Sequence, residues 1–365
     1  MLKGNPKYFA CNFNIDLVMG AKYNGEPYPP LISKNKVEAI MADNREKGLR
    51  ELYNKFSADS HEGQIITRRD LMSCTRPVPP VLANPDGSHQ YIMAWDSARL
   101  NDNSTVGIAD IYNDPEKGWC MDIVNFANFV DVKTKRKTPM TMPEQLEAFK
   151  KLLIDYNGNE FRKLDYENIM AVVCDSGAGG QMVGGISDYL LADWEDSHGH
   201  RHKGLIDRSH KANETARSKF PDAVDIMKLV DPRAHRNEIF DAAERMVKLG
   251  VVTFPADYDD KGYIQTIDDN GEEHIRHLSS DEMLSLAQIS RVKDEIVMMC
   301  KYINGGTVSY NYPPDKRNKE HDDRVFTFAL LCWYLAGLRR GQARERKQED
   351  VSYKDMFHFR RPRCK

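Results

Sequence analysis

Three short stretches of the chain are the most informative about its fold, and each one contains a carboxylate: Tyr91-Ile-Met-Ala-Trp-Asp96, Ile169-Met-Ala-Val-Val-Cys-Asp175 and His321-Asp322-Asp323. The first two are apolar runs closed by an aspartate, which predicts a buried strand with an acid at its end. The third opens a long amphipathic helix. Carboxylates that converge on one point repel each other, and they are stable together only where cations neutralise them. These stretches therefore predict a divalent-metal site.

The composition is that of an ordinary globular protein. Of the 365 residues, 29% are charged and 41% are apolar. Every apolar run is too short to cross a bilayer, and the N-terminus lacks the pattern of a signal peptide, so we expect no membrane contact. The seven cysteines are scattered singly without a C-x-x-C pair. This favours reduced thiols in a cytosol over a disulfide framework or a zinc ribbon.

Charge is distributed unevenly along the chain. The net charge is −3, but residues 339–365 carry ten Lys/Arg against four Asp/Glu, which leaves −9 on the remainder. A basic tail on an acidic body suits a chain that contacts a polyanion at one end and gathers cations elsewhere. A solubilising, disordered C-terminus is the alternative interpretation, and composition does not separate the two.

The order of predicted elements indicates an α/β layer architecture. Residues 1–88 are an irregular lead-in with a helix from Lys36 to about Phe56. From Tyr91 onward, three strands joined by short turns form an antiparallel meander, followed by a helix opened by Pro143 and a buried strand ending at Asp175. Further along, a hairpin is predicted around Asp268-Asp-Asn-Gly271, and a helix from Ser280 to Ile303. The order βββ, α, β, α requires a mixed sheet.

Each acidic stretch also has a simpler interpretation. Asp102 follows Asp96 in a polar turn, where an aspartate commonly bonds its own backbone. Asp96 differs, because a carboxylate directly after two apolar residues is costly to bury unless it is paired or metal-bound. Asp322 and Asp323 could simply cap the helix that they open. His321 beside them could orient a water or shuttle a proton, or it could be a capping or surface residue.

The glycine-rich segment Ser176–Gly185 follows Asp175 and would let backbone N–H groups approach an anion closely. A G-x-G-x-x-G beginning at Gly177 would place Met182 at the third glycine, which argues against a dinucleotide fold. The chain also lacks G-x-x-x-x-G-K-[ST], which argues against a nucleotide triphosphatase. A plain strand-to-helix turn remains the alternative.

The loop Asp196-Ser-His-Gly-His-Arg-His-Lys203 contains three alternating histidines. Alternate spacing in a polar stretch, with no cysteine nearby, is not a structural-zinc pattern. We expect a solvated or DNA-facing loop.

Taken together, these motifs resemble the nuclease half of the large terminase subunit of tailed bacteriophages, an RNase H-like fold. The resemblance covers roughly residues 90–338 and rests on Trp95-Asp96 with Asp102, on the strand ending in Asp175, and most specifically on His321-Asp322-Asp323. It implies an α/β domain over residues 89–338, with an RNase H-like mixed sheet flanked by helices. Residues 1–88 would be a helical and extended linker-like region, and residues 339–365 a basic tail. The family's N-terminal ATPase is missing, so we expect the motor on another chain or on a removed part.

The resemblance also implies the chemistry. Two Mg²⁺ or Mn²⁺ ions would be held by Asp96, Asp175, Asp322 and Asp323, with His321 as a further catalytic candidate. The expected substrate is concatemeric double-stranded viral DNA. The expected partners are the portal protein, the small terminase subunit and an ATPase motor, in the host cytoplasm.

Lysines and arginines near the predicted hairpin, Lys261 and Arg276, and in the tail are candidate phosphate contacts or ordinary surface charges. Two other functions stay open. One is an RNase H-like resolvase or transposase, and the other is a non-catalytic module that docks on the portal or motor.

Overall fold

The computed structural model describes residues 14–29, 32–43, 52–53, 63–97, 104–131, 138–158, 165–176, 188–267, 272–305, 307–314, 316 and 322–356. The helices are α1 Ile15–Met19, α2 Lys34–Asp43, α3 Arg68–Ser73, α4 Met142–Asn157, α5 Glu214–Lys219, α6 Pro232–Lys248, α7 Ser280–Met298 and α8 Asp323–Met356. The longer strands are β3 Tyr91–Asp96, β4 Thr105–Asp114, β5 Gly118–Asn128, β8 Ile169–Asp175, β11 Met227–Val230, β13 Tyr263–Ile267, β14 Glu273–His277, β15 Cys300–Asn304 and β16 Thr307–Asn311. The two-residue strands are β1 Lys22–Tyr23, β2 Glu26–Pro27, β6 Val130–Asp131, β7 Thr138–Pro139, β9 Trp194–Glu195, β10 Arg201–His202 and β12 Val252–Thr253.

A six-stranded mixed sheet organises the molecule, in the order β11-β8-β3-β4-β5-β12. Strands β3, β4 and β5 form an antiparallel meander, and β8 and β11 add parallel to β3 on its other side. A meander extended in this way by two parallel strands is the strand order of an RNase H-like sheet. The predicted α/β fold class, an RNase H-like mixed sheet flanked by helices, is confirmed.

Helices cover both faces of the sheet because successive side chains of a strand point to opposite faces. One face packs on α4, and its buried residues include Met93, Trp95, Phe149, Val172 and Cys174. The other face packs on α6, α7 and α8, and its buried residues include Ile92, Ala94, Val173, Phe240, Ile289 and Phe328. The apolar stripe predicted for the helix after Asp323 lies in this second core.

Local signals explain where the helices begin. Asp231 caps α6 by accepting a hydrogen bond from the Arg233 N–H, with Pro232 directly after it. Ser279 and Glu282 form a capping box at the start of α7. At the far end of α4, Gly158 takes a left-handed conformation with φ of 63°.

The structure corrects several element boundaries. The helix predicted to run to Ile303 ends at Met298, and Cys300–Asn304 is a strand that pairs with Thr307–Asn311. Strand β11 was not predicted. The hairpin strands are confirmed as β13 and β14, but the predicted turn at 268–271 lies outside the described residues. The helix expected from Lys36 to about Phe56 is present as α2, while residues 44–51 and 54–62 lie outside the described part.

The expected domain limits at residues 88 and 338 stay predictions. Ile65, Ile66, Leu71 and Cys74 belong to the same core as the sheet, and α8 continues through residue 338 to Met356. None of the helices among the described residues combines the length and the apolar character that crossing a membrane requires. The described cysteines are buried and form no disulfides: Cys74, Cys120, Cys174, Cys300 and Cys332.

Candidate functional site

Asp96 and Asp175 end neighbouring parallel strands. Trp95 of β3 is paired with Cys174 of β8, so the two aspartates follow at adjacent positions at the carboxyl ends of both strands. Neighbouring strands lie about 4.8 Å apart, so the two backbones are close at this point. In open α/β sheets this edge is where functional groups collect.

Both aspartates alternate onto the face that carries α6, α7 and α8. Trp95 and Cys174 are buried in the α4 core, whereas Ala94 and Val173 are buried in the opposite core. Side chains alternate along a strand, so Asp96 and Asp175 fall on the side of Ala94 and Val173. Both are partly exposed, as residues at the mouth of a site would be.

Two threonines fix the start of α8 over this end of the sheet. Thr105 of β4 is the partner of Asp96 across the sheet. Its hydroxyl lies 2.6 Å from the Thr327 hydroxyl and 3.5 Å from the Asp323 carbonyl oxygen, which also accepts a hydrogen bond from Thr327 at 2.8 Å. Thr105 and Thr327 are fully buried, and Asp323 is 9% exposed. The first residue of α8 is thus held one strand away from Asp96.

Asp322, one residue earlier, is engaged differently. It forms a short ion pair with Arg236 of α6. The two side chains are 36% and 33% exposed, so the pair stands at the rim of the site. Asp322 and Asp323 are therefore not equivalent in this structure.

A second ion pair anchors α8 from α7. Glu295 accepts hydrogen bonds from the Arg324 guanidinium at 2.6 Å and from the Val325 N–H at 3.1 Å. Burial raises the pKa of Glu295 to about 7, against the opposing effect of Arg324. Glu295 thereby supplies one of the acceptors that the first turn of a helix lacks.

The predicted site residues fall into three groups. Asp96, Asp175 and Asp323 share one end and one face of the sheet by backbone placement, and Asp322 is paired with Arg236. His321, Asp102 and residues 177–187 lie outside the described residues. Within the ranges that the structure describes, no three His, Cys, Asp or Glu side chains are grouped as ready metal ligands. The ligand and catalytic roles stay predictions.

The donor set nevertheless fits the expected ions. Carboxylate oxygens are the ligands that Mg²⁺ and Mn²⁺ prefer, and such ions keep part of their coordination shell for water and substrate. Sequence reasoning missed the supporting residues Thr105, Thr327, Arg236 and Glu295. Each is an ordinary residue in its own segment, and its role arises only from contacts between segments distant in sequence.

The histidine loop is only partly the solvated loop that we expected. His198 and His200 are exposed, but His202 is 4% exposed and stacks on Trp194 with ring centroids 4.4 Å apart. Its two ring nitrogens lie 3.1 Å and 3.3 Å from carboxylate oxygens of Asp165 and Asp196. Asp165 precedes β8, at the opposite end of that strand from Asp175. These side chains pack against one another, and they lie away from the candidate site.

A cavity of about 680 Å³ opens beside the start of α8. It lies against the end of β5, which is two strands from Asp96 at the same end of the sheet. Its wall combines the apolar side chains of Phe126 and Leu152 with charged side chains of both signs: Lys151, Arg291 and Arg324, and Asp155 and Asp281. Arg291 is exposed, whereas Lys151 is paired with Asp155 and Arg324 with Glu295.

No protein-family model matches the chain, and no curated protein is similar to it in sequence. Three matching solved structures are crystal structures of the large terminase nuclease from thermophilic phage G20c. The magnesium-bound structure is 12% identical, with a TM-score of 0.42 over 75% of this chain and 98% of that one. The cobalt-bound structure is 13% identical, with the same TM-score and coverage. The zinc-bound structure is 12% identical, with a TM-score of 0.33 over 72% and 96%. These TM-scores are low, and the fold assignment rests on the strand order described above.

Proposed function

We propose that this chain is a divalent-metal-dependent endodeoxyribonuclease, the nuclease part of a large terminase subunit that cuts concatemeric double-stranded viral DNA during genome packaging. The observation that carries the proposal is the register of β3 and β8, which brings Asp96 and Asp175 side by side on the face where α8 begins with Asp323. Bound cations would stabilise acids placed in this way, because unneutralised carboxylates that lie close together repel one another.

Some residues of the site would bind the ions, and others position the helix that carries Asp323. Asp96, Asp175 and Asp323 would hold the ions, with Asp322 at the rim. A bound pair of Mg²⁺ or Mn²⁺ would lower the pKa of an attacking water and stabilise the departing oxygen. Thr105 and Thr327 hold the backbone of Asp323 at the end of the sheet where Asp96 lies. Glu295 fixes the direction of the helix that carries Asp323. His321 is the candidate for orienting the water.

DNA would reach the site past Arg291, an exposed cation on the wall of the cavity. Arg291 at the cavity is better placed for a phosphate contact than the hairpin residues, since it lies beside the end of the sheet that carries the acids. Arg276 and Lys261 are paired with Glu282 and Asp259. The portal protein, the small terminase subunit and an ATPase motor are the proposed protein partners, in the host cytoplasm.

Plasmid digestion in Mn²⁺ tests the nuclease assignment. Asp96→Asn and Asp175→Asn each remove one ligand charge and are expected to abolish cleavage while the circular dichroism spectrum stays unchanged. Asp222→Asn is the matched control, because Asp222 is an exposed aspartate remote from the site in sequence, and this variant is expected to cut normally. Full cleavage by either site variant would refute the proposal.

The choice of DNA separates the proposed packaging nuclease from its relatives in mechanism. A packaging nuclease is expected to cut linear and supercoiled duplexes with little sequence preference. A resolvase or transposase would prefer four-way junctions or specific ends. Efficient cutting of junctions alone would replace the proposed substrate while leaving the metal chemistry in place. A docking module would bind its partners without cutting any of these substrates.

A further inference from the structure

Arg236 is held more rigidly than a surface arginine would be. Its guanidinium carbon lies 4.9 Å from the ring centroid of Phe240 and 5.9 Å from that of Phe326. Its Nε and Nη2 donate to the Tyr310 carbonyl oxygen at 3.4 Å and 3.5 Å. Cation–π contacts and backbone acceptors together fix the plane of the guanidinium before any ion arrives.

The scaffold behind Arg236 is itself fixed. The ring of Tyr310 stacks on Phe240 with centroids 5.5 Å apart, and its hydroxyl forms a short hydrogen bond to Asp241. Lys301 reaches the same Asp241 carboxylate at 2.9 Å. Arg236 therefore belongs to a layer between α6, β16 and the start of α8, and its position is set by that layer.

This layer lies at the end of the sheet that carries the acids. Helix α6 follows β11, whose last residue, Val230, is the partner of Asp175 in the sheet. Arg236 is thus on the β8 side of α8, whereas the Asp323 carbonyl is held from the β4 side by Thr105. Arg236 therefore fixes the side chain of Asp322, whereas Thr105 fixes the backbone of Asp323.

We propose that Arg236 is a positioning residue: it is the built-in counter-ion of Asp322 and keeps that carboxylate at the rim, so that Asp323 is the carboxylate that α8 contributes to the ions. This inference rests on the proposed nuclease function. It also gives Arg236 a role in metal affinity, since a fixed cation beside the site competes with divalent ions for Asp322 and opposes their approach.

The ion pair is tested first without metal, in EDTA. Urea unfolding is compared for Arg236→Gln, Asp322→Asn and the double variant, with Arg233→Gln as control. Arg233 lies on the same helix and is exposed. The double variant is expected to shift the unfolding midpoint by clearly less than the sum of the two single shifts, because each single change already removes the pair. Additive shifts would contradict a stabilising ion pair between Arg236 and Asp322. Arg236→Met takes its place in the cycle if the glutamine variant fails to fold, because it also removes the charge and keeps an unbranched side chain.

Ligand roles are tested by calorimetric titration with Mn²⁺. Asp323→Asn is expected to weaken Mn²⁺ binding by at least about tenfold, and Asp322→Asn by less than about threefold. Arg236→Gln is expected to tighten Mn²⁺ binding, and by a smaller factor when Asp322 is also changed to Asn. Equal losses of Mn²⁺ affinity in the two aspartate variants, or unchanged Mn²⁺ binding in Arg236→Gln, would overturn the role assigned to Arg236. Neither result would overturn the proposed nuclease function. Wild-type protein that binds no Mn²⁺ would overturn the proposed nuclease function as well.

Discussion

At the scale of single residues, the buried hydroxyl pair Thr105–Thr327 joins the sheet to α8. Thr327→Val keeps the shape but removes a hydroxyl that bonds Thr105 and the Asp323 carbonyl oxygen. We expect a loss of about 1–3 kcal/mol in the free energy of unfolding, because the Thr105 hydroxyl is left buried without its 2.6 Å partner. Urea unfolding measures this loss. Thr327→Ser retains the hydroxyl and is expected to lose less, and an equal loss in both variants would contradict the explanation.

Glu295 makes stability depend on pH. Its pKa is raised from 4.5 to about 7 by burial, so the folded state binds more protons than the unfolded state between these values. The free energy of unfolding should therefore carry a contribution that is fully present below pH 4.5 and is lost as the pH rises toward 7. Urea unfolding at pH 5 and pH 8 in EDTA checks the sign.

Glu295→Gln provides the comparison for this pH dependence. Glutamine keeps an acceptor for Arg324 or Val325 but does not titrate. The variant is expected to lose less stability than the wild type between the two pH values. An identical pH dependence in both proteins would exclude Glu295 as its source.

At the scale of secondary-structure elements, α8 crosses the sheet at Gly107 of β4. A Cβ atom built there would lie 2.8 Å from the Phe126 ring and 3.1 Å from Leu331 of α8. Gly107→Ala is expected to lower the free energy of unfolding by about 1–3 kcal/mol through overpacking. Gly341→Ala lies on the same helix with nothing within 4 Å of the added atom, so it should be neutral or stabilising. Thermal melts of the two variants test this contrast.

Period-two and period-3.6 patterns predicted the elements that form the core. The apolar runs ending at Asp96 and Asp175 became β3 and β8, and the stripe after Asp323 became the buried face of α8. Strand β11 escaped because its segment Met-Lys-Leu-Val is four residues long and partly polar, and only its pairing with β8 makes it a strand. The end of α7 was misplaced because Cys300–Asn304 continues the apolar pattern, and pairing with β16 decides its conformation.

The candidate site was predictable to a similar degree. Carboxylates at strand ends are visible in the sequence, and parallel pairing then places them together. The engagement of Asp322 by Arg236 spans 86 residues and depends on two aromatic rings, so no local pattern could indicate it. His202 was expected to be solvated because its neighbours are polar, yet Trp194 and two carboxylates bury it.

At the scale of the whole molecule, the separation of charge should govern DNA binding. Residues 344–365 carry eight Lys/Arg and four Asp/Glu, whereas the body is acidic. A chain that ends after Ala343 keeps the hydrogen bonds of Arg339 to the Lys117 and Trp119 carbonyl oxygens, so its fold should be retained. We expect weaker binding to duplex DNA and a shallower dependence on salt, since fewer counterions are released.

Fluorescence anisotropy at several salt concentrations measures both quantities for this truncated chain. The control is Arg339→Gln in the full chain, which alters the contact with the β4–β5 turn but leaves the rest of the tail. If truncation leaves the salt dependence unchanged, the tail does not contact phosphates.

Helix α8 runs unbroken for 34 residues from Asp323, about 51 Å at 1.5 Å per residue. Thr105 bonds its first turn, and Arg339 bonds the turn between β4 and β5 at the other end of the sheet. The helix is therefore attached to the same pair of strands at both ends of the sheet. A force applied to the helix beyond Gln342 must either break the hydrogen bonds of Arg339 or shift the whole helix. Any shift along the helix axis would move Asp323 relative to Asp96 and Asp175 by the same distance.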